Sequence, residues 1–197
     1  MEPSSQEEEE NKGKVKLPET VEAKLLESRT ILVEGLVADR MYREVSARLF
    51  YLEQQEPQAE VLVVVNSPGG SADVGFALYD LMHFVRCPVR TLCAGLCASA
   101  AILVFLGGRK GSRCALPNSR FLLHQPSTTT FGPASDMEIT AKEILRTRTR
   151  YGEVVGGEIG VAATKIVEDC NRDFWLNADE GLKYGLVDKI VRSRAEL

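Results

Sequence analysis

The sequence predicts a single α/β domain with crossover connections, and three observations carry that expectation. An unbroken aliphatic run, Val61-Leu62-Val63-Val64-Val65, marks a strand covered on both faces, as in a parallel sheet. Apolar residues recur at helical intervals on either side of it: Met41, Val45, Leu49 and Leu52 before, and Phe76, Leu78, Leu81, Met82 and Val85 after. Strand and helix patterns then keep alternating in the βαβα order that requires crossovers. With 197 residues, 44% of them hydrophobic, the chain is long enough to bury one core.

Residues 1–18 include the run Glu7 to Glu10 followed by Asn11-Lys-Gly-Lys-Val-Lys. They are acidic, polar and non-periodic, the opposite of a signal or transit peptide, and a disordered tail is predicted. The folded domain is expected over 19–197. A helix over 39–54 ends before Pro57. A strand over 60–65 leads into the turn Asn66-Ser67-Pro68-Gly69-Gly70-Ser71, and a helix follows over 72–86. Residues 91–108 carry no charge, which raises the question of a membrane span. Gly95, Cys97, Ala98, Ser99, Gly107 and Gly108 dilute the apolarity, and the stretch divides into a buried strand to Ala94, a turn at Gly95 and a helix over 98–106. No membrane span is expected. A short strand at Phe121-Leu122-Leu123 must stop near Pro126, because proline has no N–H to give a ladder. The polar connection 127–133 precedes a long, charge-laced helix over 134–151, with Glu138 and Lys142 as an i,i+4 pair and Met137, Ile144 and Leu145 as an apolar stripe. By pattern alone that helix either packs on its own domain or projects to a partner. A helix is expected over 162–170, and Asn177-Ala178-Asp179-Glu180 reads as the cap of a last one that Gly185 ends.

Composition excludes some functions. A net charge of −4 and a pI near 5.4 give no attraction to nucleic acid or anionic membrane. Arg146, Arg148 and Arg150 read as a solvated helix end. Five cysteines, an odd number without a secretory leader, point to free thiols in a reducing, cytoplasmic compartment. Cys93 and Cys97 lack a second ligand pair at the right spacing, so no metal site is expected.

The chemistry centres on three segments, each holding one member of a Ser, His, Asp set. Of the two histidines, His83 lies within a helical apolar pattern and is expected to be partly buried and hydrogen-bonded. His124 ends a buried strand, where an imidazole base is well placed. Ser99 falls at a strand-to-helix turn, beside the unpaired N–H groups of a helix start. A hydroxyl is a poor nucleophile at neutral pH, so Ser99 needs His124 to take its proton, and Asp173 would orient the imidazole. Asp136 and Asp169 compete for that last role. The amides of Ala100 and Gly70 would form an oxyanion hole, worth ~3 kcal/mol per donor. Cys97 is a rival nucleophile, but two residues from Ser99 it points elsewhere and belongs to the core. The basic turn 107–112 lacks the Gly-Lys-Ser/Thr ending of a phosphate loop.

The segments Asn66-Ser67-Pro68-Gly69-Gly70-Ser71, Ala115-Leu116-Pro117-Asn118-Ser119-Arg120, His124-Gln125-Pro126 and Ala141-Lys142-Glu143-Ile144-Leu145 resemble those of the ClpP family of caseinolytic serine peptidases, over about 25–190. The resemblance implies a crotonase-like (ClpP) α/β fold with ββα units, two stacked seven-membered rings, and a handle region over about 126–155 that projects between them. It places the nucleophile on Ser99, the base on His124, the acid on Asp173 and the oxyanion donors on Gly70 and Ala100. Gly69, Ser71, Gln125 and Pro126 are then expected to bind substrate. The implied function is that of the serine endopeptidase subunit of an ATP-dependent Clp protease, cutting unfolded polypeptides through an acyl-enzyme. A partner AAA+ ATPase such as ClpX, ClpA or ClpC would use the ATP; this chain carries no nucleotide motif and needs no cofactor or metal. The sequence departs from the family in its Glu-rich tail, in the aliphatic strand 61–65 where aromatic residues serve ATPase docking, and in Gly132-Pro133 and Thr140 where the handle motif has Gly-Gln and His. These departures suggest one of two paralogous subunits in a mixed assembly with a second ClpP or ClpR chain. The alternatives are a non-catalytic ClpR-like subunit and, further off, a crotonase-type acyl-CoA enzyme, whose base is usually a carboxylate.

Overall fold

A computed structural model describes residues 18–197, so the tail expected over 1–18 lies, but for Pro18, outside the described residues. The elements in chain order are α1 (Glu19–Glu27), β1 (Thr30–Val37), α2 (Asp39–Gln55), β2 (Val61–Gly70), α3 (Ala72–Phe84), β3 (Val89–Ala98), α4 (Ala100–Leu106), β4 (Arg113–Ala115), β5 (Arg120–Leu123), α5 (Ala134–Ile159), α6 (Ala163–Asp169), β6 (Phe174–Asn177), α7 (Ala178–Tyr184) and β7 (Lys189–Ile190). β1, β2, β3, β4 and β7 pair in that order, all parallel, while β5 pairs with β3 and carries β6 antiparallel on its other edge.

The centre of the sheet differs from the sequence reading in two ways. β2 does not stop at Val65 but stays extended through Pro68 and Gly69 to Gly70. Gly95 is not a turn between elements but a bulge inside one strand: Val65 lies opposite Cys93, and the next pair is Ser67 with Cys97. Gly95 adopts φ +130°, and the Asn66 side chain fills the gap by accepting the Leu96 N–H at 3.0 Å. Past the bulge β3 changes partner, pairing through Thr91–Cys93 with β4 and through Leu96–Ala98 with β5. α1 and β1 were not foreseen. In β1 the apolar pattern is broken by Glu34 and Gly35, where the register slips and Gly35 takes φ +77°.

The core lies between the sheet and α2, α3 and α4. Every residue of α4 is buried, and so are Ile31, Val33, Val61, Val63 and Val65. Leu62 and Val64 face the other side and are only partly covered. The aliphatic run thus has one dry face rather than the two expected. The second face opens into a groove of about 290 Å³ lined by Leu62, Val64, Leu92, Leu116, Val191 and Leu197 among others. All five cysteines are buried free thiols. His83 is exposed rather than partly buried, with Nδ1 2.9 Å from the Tyr79 carbonyl. No helix among the described residues is long and apolar enough to cross a membrane.

α5 continues eight residues beyond the predicted end at Tyr151, through three glycines that weaken the sequence signal, and stops at Gly160 in the left-handed conformation. Its two ends behave differently. Tyr151, Gly152, Val155 and Gly156 are buried on the domain, whereas Met137, Ile139 and Leu145 near the start are exposed. The buried end is tied down by Glu158, whose carboxylate pairs with the fully buried Arg113 guanidinium and accepts the Tyr79 hydroxyl at 2.5 Å. The cap of α7 forms as predicted: Asn177 Oδ1 accepts the Glu180 N–H at 2.9 Å while Glu180 Oε2 accepts the Asn177 N–H at 2.8 Å.

Candidate active site

Strand register brings the three segments together. In the β5–β6 pair Leu123 stands opposite Phe174, so one step beyond the ladder His124 and Asp173 face each other. On the other edge of β5, Ala98 pairs with Leu122, and Ser99 donates its N–H to the Leu122 carbonyl at 2.8 Å. Ser99 therefore arrives beside the same strand end.

The side chains close the set. His124 Nε2 lies 2.8 Å from Ser99 Oγ, and His124 Nδ1 lies 3.6 Å from Asp173 Oδ1. The first is a hydrogen bond; the second is an ion-pair distance just beyond hydrogen-bond range. Asp173 is the most open of the three, with 64% of its side chain exposed against 32% for His124.

Ser99 is one of two non-glycine residues among those described with positive φ, at φ +56°, ψ −124°. Such a conformation costs of order 1–3 kcal/mol and persists only where the surroundings fix it. Here both peptide groups are held: the N–H by Leu122 and the carbonyl by the Ile102 N–H at 3.0 Å. The sharp bend lifts the hydroxyl out of the strand and presents Ala100 as the first residue of α4, whose N–H has no partner within the helix.

Gly69 backs the bend. A methyl group placed on it would lie 2.5 Å from the Ala98 carbonyl, 2.7 Å from Ser99 Cβ and 3.0 Å from the Ala100 nitrogen. Its φ of +94° also disfavours any side chain. Gly69→Ala is accordingly expected to lower folding stability by about 3 kcal/mol or more, measured by denaturant unfolding. Unchanged stability would show that the bend relaxes freely. Gly70, exposed and at φ +151°, ends β2 opposite Val37.

The remaining residues expected at the site divide. Ser71 caps α3, its Oγ accepting the Val74 N–H at 3.4 Å while its own N–H goes to the Val37 carbonyl. Pro126 is half-buried just past His124. Gln125 is engaged inside the chain, with its N–H on the Cys170 carbonyl and Nε2 on the Asn171 carbonyl. The competing acids lie elsewhere: Asp169 is bound by Lys165 and the Tyr184 hydroxyl, and Asp136 sits at the exposed start of α5. Cys97 is fully buried, and burial pushes its thiol well above the ordinary range. Among the described residues no group of three or more His, Cys, Asp or Glu side chains is placed to hold a metal ion.

A family model for Clp protease matches residues 13–194, nearly the whole chain. The chain belongs to the Clp protease family. Among Clp protease relatives, the ATP-dependent Clp protease proteolytic subunit 2 of Treponema pallidum is 40% identical over 174 residues, covering 88% of this chain and 87% of that protein. A solved structure of a ClpP1 point mutant from Listeria monocytogenes superimposes with a TM-score of 0.82 at 32% identity, spanning 89% of this chain and 98% of that one. The fold is therefore the ClpP fold. Within this Clp protease scaffold, the sequence reading missed the internal bonds of Gln125. The only signal for them was its position next to His124, since the partner carbonyls lie more than forty residues downstream.

Proposed function

We propose that this member of the Clp protease family is a serine endopeptidase subunit. The observation that carries the reading is the 2.8 Å contact between Ser99 Oγ and His124 Nε2 at a strained strand-to-helix bend. An acyl-CoA enzyme of the same fold would have no use for that contact. His124 Nε2 takes the hydroxyl proton as Ser99 Oγ attacks the scissile carbonyl, and later returns it to the leaving amine. Asp173, facing Nδ1, fixes the tautomer and stabilises the imidazolium. The Ala100 and Gly70 amides receive the oxyanion, and glycine at 69 and 70 lets the end of β2 lie close against the Ser99 bend and against Val37.

The sequence carries no nucleotide motif, and a separate AAA+ ATPase would unfold the substrate and spend the ATP. The exposed apolar side chains at the start of α5 suit packing between stacked rings. The departures in tail, strand 61–65 and handle favour a mixed assembly with a paralogous subunit.

A fluorophosphonate probe applied to the full chain tests the catalytic reading, with the adduct mapped by peptide mass and the particle mass measured on the same sample. Labelling of Ser99 is expected. A chain that forms rings yet stays unlabelled would instead be a non-catalytic subunit. Fourteen-membered particles of this chain alone, degrading protein with an added Clp ATPase, would remove the case for a mixed ring.

A further inference from the structure

The weakest link in the site is the 3.6 Å between His124 Nδ1 and Asp173 Oδ1. Asp173 lies in the short segment between α6 and β6, and its carboxylate is mostly exposed, so its own packing fixes it poorly. On its C-terminal side the β5–β6 ladder holds the chain. On its N-terminal side the anchor that reaches across to β5 is Gln125, which follows His124 directly. Its N–H binds the Cys170 carbonyl at 2.8 Å, and its side-chain Nε2 binds the Asn171 carbonyl at 3.0 Å, two residues before the acid. The other ties on this loop run back to α5 and α6: the Cys170 and Asn171 N–H groups bind the Ile166 and Glu168 carbonyls at 2.9 and 3.1 Å, and Arg148 Nη2 lies 3.5 Å from Asn171 Oδ1.

We propose that the Gln125 side chain is a positioning residue of the peptidase, acting through the Asn171 carbonyl to hold Asp173 against His124. The inference rests on the serine peptidase reading above. Base and acid are thereby clamped on both sides by groups next to them in sequence: the ladder binds Leu123 to Phe174, and Gln125 binds Asn171. Without the side-chain bond the Asn171 carbonyl loses its tie to the strand that carries His124, and residues 172–173 are held against the imidazole only through α6 on one side and the ladder on the other. A misplacement of about 1 Å at a reacting group costs up to ~100-fold in rate. Gln125 faces the loop and not the nucleophile, so this effect belongs to kcat and not to substrate affinity.

The test uses the full chain in its active assembly, with a fluorogenic peptide for turnover and a fluorophosphonate for Ser99 labelling, in wild type, Gln125→Glu, Gln125→Ala, Asp173→Asn and the Gln125→Ala/Asp173→Asn double variant. Gln125→Glu keeps the shape of the side chain, and every variant keeps the backbone bond to Cys170. Both Gln125 variants are expected to lose about 10-fold or more in kcat and in labelling rate with KM within about twofold. The double variant is expected to be no slower than Asp173→Asn alone, because Gln125 acts only through the acid. A raised KM with unchanged kcat would instead make Gln125 a substrate contact. Losses that multiply in the double variant, or that track a fall in melting temperature, would also overturn the positioning role. A wild-type chain that neither labels nor turns over peptide would sink the catalytic reading itself, whatever Gln125 does.

Discussion

His124→Ala is expected to reduce peptide turnover by ~10⁴- to 10⁶-fold, the range for removing the base of a triad that acts as a unit. Ser99 labelling by a fluorophosphonate should fall in parallel, because among the described residues the imidazole hydrogen-bonded to Ser99 Oγ is that of His124. His83 lies on the exposed face of α3, tied to its own helix by the Tyr79 carbonyl. The loss should be chemical rather than structural. The imidazole is partly exposed, and its contacts are Ser99 and Asp173, both able to turn to water. Melting temperature and particle mass should therefore match wild type. Retention of more than a tenth of wild-type turnover in His124→Ala would refute the proposed mechanism.

A large effect on stability is expected at the C-terminal end of α5. The Arg113 side chain is only 2% exposed, and its charge is met by the Glu158 carboxylate with further bonds to the Leu106 and Gly108 carbonyls. Removing one partner of a buried pair leaves the other charge uncompensated, at a cost of about 3–5 kcal/mol. Glu158→Gln isolates that term, since the amide can still accept the Tyr79 hydroxyl. Urea unfolding at pH 7 should show a loss of about 3 kcal/mol, the lower end because two carbonyls still accept from Arg113.

The pH dependence has a definite sign. Burial works to raise the Glu158 pKa, but the Tyr79 hydroxyl and the Arg113 guanidinium outweigh it and hold the carboxyl below its ordinary 4.5. Burial and the Glu158 carboxylate push the Tyr79 phenol up, so it stays a neutral donor. A carboxyl whose pKa is depressed by folding stabilises the native state fully above the unfolded value. That contribution disappears as pH falls through the folded one. The gap between wild type and Glu158→Gln should thus be constant above about pH 5 and close as the solution becomes more acidic. A gap that widens in acid would mean that Glu158 is not the charged partner.

Much of the architecture was legible because burial imposes a period on sequence. The helices from 39, 72 and 163 stand within a residue or two of their predicted starts, and the Asn177 cap and Gly185 stop act through local hydrogen bonds that any reader of sequence can place. Where prediction failed, the cause was non-local. β1 was hidden by a bulge that a hydrogen bond from Ser67 to the Gly35 carbonyl supports from another strand. The extension of β2 through Pro68 and Gly69 is imposed by pairing with Leu36 and Val37, against local turn chemistry. The predicted end of α5 falls short because Gly152, Gly156 and Gly157 argue against a helix by propensity. Tertiary contact overrides that: Gly156 packs so closely on the Val161 carbonyl that a methyl group there would lie 2.5 Å away.

Sequence alone determined which residues were available for chemistry: two histidines, one of them at a strand end, a serine at a strand-to-helix junction and a glycine pair after a buried strand. Residue type fixes proton affinity and nucleophilicity, and those do not wait for folding. Only the tertiary structure decided that residues 99, 124 and 173 meet, because register between strands is set by pairing partners remote along the chain. Tertiary structure also decided that Gln125 turns toward the loop carrying the acid, since the carbonyls that capture it exist as neighbours only once β5 and β6 have paired.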